Sequence, residues 1–158
     1  MACDQSKWTF HEGELGRDDI RGLLAEHLAF ARAMSPPTSV HALPIDGLRD
    51  PAIRFFSVRE NGRLLGIGAL KQLSADHGEL KSMRTASDAL GRGVGRAMLN
   101  YLLAAAREMG FSRISLETGS GPPFEAANRL YASAGFEPCE PFADYPDTAF
   151  NRFYSRSL

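Results

Sequence analysis

The chain has 158 residues, room for one domain with a buried core, and is 44% hydrophobic and 23% charged with a formal net charge of −1. This balance excludes a sequence-independent attraction to nucleic acid or anionic membranes, so any anion-binding site has to be local. No stretch approaches the ~20 apolar residues that span a bilayer, residues 1–10 lack a signal-peptide core, and Cys3 and Cys139 fit neither a metal nor a disulfide spacing, so a cytoplasmic chain without metal is expected.

Residues 7–10, Lys-Trp-Thr-Phe, put Trp8 and Phe10 on one side and predict a first strand. Asp18 or Asp19 is expected to cap the helix that follows, in which Ile20, Leu23, Leu24, His27, Leu28 and Ala31 form one apolar stripe. His27 then reads as a stripe-edge residue rather than a ligand. Pro36 and Pro37 stop the helix, and the segment around them is a loop over the body.

Two β-rich runs flank Asn61-Gly62, a strong hairpin signal, and a turn over residues 74–78 leads to a third run. The prediction is an antiparallel meander of strands at 53–60, 63–73 and 79–85. Strict alternation fails around Leu80 and Met83, which calls for a bulge in the third strand.

From Val94 the spacing turns helical through Ala97, Met98, Tyr101, Leu102, Ala105 and Met109, with Gly110 as terminator. Residues 113–118 return to strand, so the order strand, glycine turn, helix, strand is a βαβ unit with parallel pairing. A second helix carries Phe124, Ala127, Leu130, Tyr131 and Ala134 and ends at Gly135, and residues 135–139 and 149–158 supply two last strands. No repeat or linker divides the chain, so one domain over residues 1–158 is expected.

The turn that leads into the helix starting at Val94 reads Ala-Leu-Gly-Arg-Gly-Val-Gly-Arg-Ala-Met-Leu, with Gly91, Gly93 and Gly95 at alternate positions. A helix N-terminus offers unpaired N–H groups and partial positive charge, and glycines let an anion approach them; a plain flexible turn is the competing reading. The dinucleotide fingerprint would need glycine where Arg96 stands, and no Gly-Lys-Ser/Thr follows for a P-loop.

Leu-Gly-Arg-Gly-Val-Gly-Arg-Ala-Met-Leu resembles the pyrophosphate-binding segment of the GCN5-related N-acetyltransferases (GNAT). Ala-Asn-Arg-Leu-Tyr-Ala-Ser-Ala-Gly-Phe resembles that family's tyrosine-bearing helix, in the right order and on the far side of a strand. Small bacterial members also carry stretches like Ser-Pro-Pro-Thr-Ser-Val-His-Ala-Leu, Glu-Leu-Lys-Ser-Met-Arg-Thr, Ser-Leu-Glu-Thr-Gly and Pro-Phe-Ala-Asp-Tyr. Leu90 departs from the Arg or Gln usual at its position.

The resemblance implies a mixed α/β (α+β) fold, with a mostly antiparallel, splayed central sheet flanked by helices, and an acetyl-CoA-dependent N-acetyltransferase acting on the primary amine of a small polar molecule by direct ternary-complex transfer. Backbone N–H groups of Arg92, Gly93, Val94, Gly95 and Arg96 would cradle the pyrophosphate, with the Arg92 and Arg96 side chains available for its charge. Met83, Arg84 and Thr85 on the bulged strand would pair with the pantetheine arm. Tyr131 would protonate the departing CoA sulfur. Glu79 is the preferred base, with Glu117, His41 or a water chain as alternatives.

His41, Arg84, Glu117 and Tyr145 are the expected acceptor contacts, in a site where the first helix and loops at 35–43 and 142–145 cover the splayed strands. Together with Asp144 they suggest a small polar amine, compatible with one that also bears a carboxylate. Two rivals remain: a non-catalytic acyl-CoA sensor or interaction module, and a protein or peptide N-acetyltransferase. An exposed edge on a C-terminal strand would support a homodimer.

Overall fold

The computed structural model describes residues 7–158, so Cys3 lies outside the described residues. In chain order the strands and helices are β1 (Trp8–Glu12), α1 (Asp18–Met34), β2 (Ile53–Glu60), β3 (Arg63–Gln72), β4 (His77–Thr85), α2 (Val94–Glu108), β5 (Arg113–Thr118), α3 (Glu125–Ser133), β6 (Glu137–Pro138) and β7 (Arg152–Ser157). The sheet order is β1-β2-β3-β4-β5-β7-β6. Every neighbouring pair is antiparallel except β4 and β5, which run parallel as the βαβ order requires.

The hairpin forms where expected: Asn61 and Gly62 take φ of 50° and 80°, the conformation a tight hairpin turn demands. β2 and β3 are buried on both faces because a helix covers each one. α2 brings Met98, Leu99 and Leu102 against Phe56, Val58 and Leu65, while Ile20, Leu23 and Leu24 of α1 meet Phe55, Leu64 and Ile67 on the opposite side. Gly68 permits the closeness of α2, since a Cβ there would lie 2.8 Å from Leu102 Cδ1.

Four expectations need correction. Neither Asp18 nor Asp19 caps α1. Its N-cap is Arg17, and Asp19 is drawn instead to Arg59, a fully buried arginine that donates to it at 2.6 Å and to Glu14 at 3.3 Å. A buried guanidinium needs such carboxylates more than a helix end that water can reach needs a cap. His77 and Gly78 belong to β4 rather than to the preceding turn, paired with Arg113 and Ile114 of β5. The strand expected at 135–139 shrinks to Glu137–Pro138, because Pro138 has no N–H to extend a ladder. Finally, β7 is interior: it lies between β5 and β6, so the C-terminal strand does not offer the exposed edge on which a homodimer was expected to pair.

The bulge in β4 is present. The β3–β4 register steps from Ile67 opposite Arg84 to Ala69 opposite Lys81, one extra residue on β4, and Ser82 takes φ of 56° to absorb it. On the other edge of β4, pairing with β5 runs from His77–Arg113 to Leu80–Leu116 and then stops, although β4 continues to Thr85 and β5 to Thr118. The two strands part there and form a fork in the sheet.

Candidate active site

A cavity of about 550 Å³ occupies the fork. Glu79, Lys81, Met83, Arg84 and Thr85 reach it from β4 and Glu117 from β5, while Gly95 of α2, Tyr131 of α3, His41 and Tyr145 complete the wall. The structure thus gathers nine of the thirteen site residues singled out from the sequence around one space. Arg92, Gly93, Val94 and Arg96 adjoin it without lining it, but Gly95 does line it.

The glycine turn has the geometry its sequence suggests. Gly91 and Gly93 take φ of 77° and 84°, values that side-chain-bearing residues rarely adopt, and Gly93 is the N-cap of α2. Ala97 N–H donates to Gly93 O at 3.0 Å as the helix begins, and no side chain caps it, so the N–H groups of Val94, Gly95 and Arg96 point out of the first turn. A Cβ at Gly95 would stand 3.3 Å from Leu130 Cδ2, which makes this the point where α2, α3 and the end of β4 converge. The arginine side chains have protein partners: Arg92 donates to Glu60 at 2.9 Å and lies 5.5 Å over the Trp8 ring, while Arg96 donates to Ser133 Oγ at 2.8 Å.

The two carboxylic acids differ sharply. Glu79 is 2% exposed and accepts from Tyr145 OH at 2.5 Å and from Lys81 Nζ at 3.3 Å, while Lys81 also donates to Tyr145 OH at 2.6 Å. It is therefore tied into a three-residue cluster. Glu117 forms no ion pair with Arg84 or Lys81; it accepts from Asn151 Nδ2 at 2.5 Å, and burial pushes its pKa up to about 7. Asn151 is itself braced by Thr148. Tyr131 is 8% exposed, and burial with the nearby Glu117 raises its pKa to about 12, so its hydroxyl stays protonated at neutral pH.

His41 packs edge-on against Tyr145 at 4.9 Å, and burial with the Lys81 charge holds its pKa below the usual histidine range. His27 is not merely a stripe-edge residue. It also lines the cavity, and burial together with the Arg84 charge lowers its pKa to about 4.

Lys81, Asn151 and an aromatic wall were missed in the sequence. Phe30 meets Phe124 at 5.5 Å, Phe124 meets Phe150 at 5.5 Å, and the Arg84 guanidinium sits 4.8 Å over Phe30. The two-residue period of a strand, which puts Lys81 on the same face as Glu79, was the available signal for the lysine. The phenylalanines come from α1, the turn before α3 and the approach to β7, and no local pattern joins them.

A sequence model of the Acetyltransferase (GNAT) family matches residues 20–136. The chain is 46% identical over 146 residues to the Bacillus subtilis protein named uncharacterized N-acetyltransferase YsnE, covering 89% of this chain and 97% of that one. It is 44% identical over 151 residues to the Escherichia coli protein named uncharacterized N-acetyltransferase YedL, covering 96% and 95%. Among solved structures, spermidine N-acetyltransferase of Vibrio cholerae, in complex with CoA and spermine, superposes with a TM-score of 0.72 at 18% identity over 96% of each chain.

Proposed function

The chain belongs to the acetyltransferase (GNAT) family, an acyltransferase family, and we propose that it transfers an acetyl group from acetyl-CoA directly to the primary amine of a small molecule within the fork. The observation that carries this reading is the fork itself: one cavity holds a carboxylic acid of pKa about 7, Glu117, and a phenol of pKa about 12, Tyr131, beside an uncapped helix N-terminus. The residues fit acetyl-CoA. The α2 N-terminus and its left-handed glycines suit a pyrophosphate, and the unpaired edge of β4 beyond Leu80 offers backbone groups at Met83 and Thr85 to the amides of a pantetheine arm.

Acetyl-CoA supplies the reactive thioester. Glu117 accepts a proton from the acceptor amine, which must be neutral to attack the carbonyl carbon. The Tyr131 hydroxyl holds the proton that the sulfur takes as the C–S bond breaks and the C–N bond forms. The products are an acetamide and free CoA thiol, and the amine proton held by Glu117 passes back to the Tyr131 phenolate to restore its hydroxyl, so that in net terms one proton moves from nitrogen to sulfur. Glu117 is preferred to Glu79 as base because the oxygen of Glu79 is already occupied by Tyr145 and Lys81.

Incubation with acetyl-CoA and a panel of amino acids, polyamines, aminoglycosides and short peptides should release free thiol and give an acetylated amine by mass spectrometry. Tyr131→Phe keeps the ring and its packing against Phe136, and turnover should fall about 100 to 10,000-fold with CoA affinity unchanged. CoA binding without thiol release from any amine would contradict the enzyme reading. Full activity of Tyr131→Phe would remove the hydroxyl from the mechanism.

A further inference from the structure

Among the described residues, four buried side-chain polar atoms lack a hydrogen-bond partner, and three of them, His27 Nδ1, His41 Nε2 and Ser82 Oγ, belong to residues that line the fork cavity. Buried polar groups are ordinarily satisfied, so their concentration around one space indicates a polar ligand that satisfies them. Charge is unbalanced in the same space. Lys81 pairs with Glu79, which leaves Glu117 near the closed end of the fork with, among the described residues, the Asn151 amide as its hydrogen-bond partner. Arg84, four residues beyond the last β4–β5 pair, lies over Phe30 and, among the described residues, faces no carboxylate within ion-pair distance. Phe30, Phe124 and Phe150 supply an apolar wall to the same cavity.

Resting on the N-acetyl transfer proposed above, we infer that the acceptor is an amino acid with an apolar side chain, its amine turned to Glu117, its carboxylate held by Arg84 and its side chain against the phenylalanines. A guanidinium is suited to a carboxylate because its fork of donors matches both oxygens. His27, neutral at physiological pH because of burial and the Arg84 charge, offers a ring nitrogen beside that carboxylate without adding a competing cation. Glu79, held by Lys81 and Tyr145, does not repel the carboxylate as a free anion would.

The test compares L-phenylalanine, L-leucine and L-methionine with their C-terminal amides in thiol-release assays, on the wild-type protein, Arg84→Met and Arg84→Lys. The amide's amine is the less basic and more readily neutral, so a preference for the free acid runs against intrinsic reactivity. The wild type should favour the acid in kcat/KM by about 10 to 100-fold, the range of a charge-assisted hydrogen bond. Arg84→Met should bring the ratio of acid to amide close to one, and Arg84→Lys should keep part of it. Calorimetric CoA affinity of each variant separates this effect from the cofactor contacts of the β4 backbone. Equal rates for acid and amide, an unchanged ratio in Arg84→Met, or turnover confined to polyamines or peptides would overturn the inference while leaving acetyl transfer standing. Absence of thiol release with every amine, alongside CoA binding, would overturn the transfer reading and this inference with it.

Discussion

Glu79 and Glu117 sit on adjoining strands, and what surrounds each decides what it can do. A carboxyl raised to about 7 is protonated below that pH and cannot accept a proton there, so turnover governed by Glu117 should rise as pH increases through about 7. Glu117→Gln should abolish that limb and depress the plateau. Glu79→Gln should leave the limb at the same pH, although it disturbs Tyr145 and Lys81. A limb that survives Glu117→Gln and vanishes in Glu79→Gln would return the base to Glu79. The sequence placed Glu79 ahead of Glu117, and the groups on which the opposite order is proposed, Asn151 and Tyr145, lie 34 and 66 positions away from the acids they bind.

At the level of elements, the turn into α2 combines two requirements: a left-handed N-cap at Gly93, and bare N–H groups just beyond it. Gly93→Val places a branched side chain at φ of 84°, a strain of about 1–3 kcal/mol, and sets a Cβ beside the proposed phosphate donors. The body of α2 is anchored elsewhere, by Met98, Leu99 and Leu102 in the core, so the fold should persist. Titration calorimetry should show CoA affinity reduced by about tenfold or more, with an unchanged circular dichroism spectrum; unaltered affinity would dissociate the turn from CoA. These features were legible because they are local: the glycine spacing, the Asn61-Gly62 turn and the broken alternation in β4 are each written within a few residues. The cap of α1 was misread because Asp19 answers to Arg59, 40 residues away.

Over the whole molecule, the family and the kind of sheet followed from two motifs and their separation. The placement of β7 between β5 and β6 did not, since strand order depends on pairings between distant segments. That order matters for the site: β7 bonds to β5 from Arg113 to Thr118, fixing β5 on the side away from the fork and letting β4 diverge from it. α1, β4, β5, the α2 turn, α3 and the segments around His41 and Tyr145 all close on the resulting space. Cys139, the cysteine among the described residues, does not line it. The proposed route is direct transfer between two molecules held together in the fork. Initial rates measured over a grid of acetyl-CoA and acceptor concentrations distinguish this route: intersecting double-reciprocal lines and no acetylated protein in the mass spectrum with acetyl-CoA alone are expected, whereas parallel lines with a stoichiometric acetyl-enzyme that passes its group to the amine would rule direct transfer out.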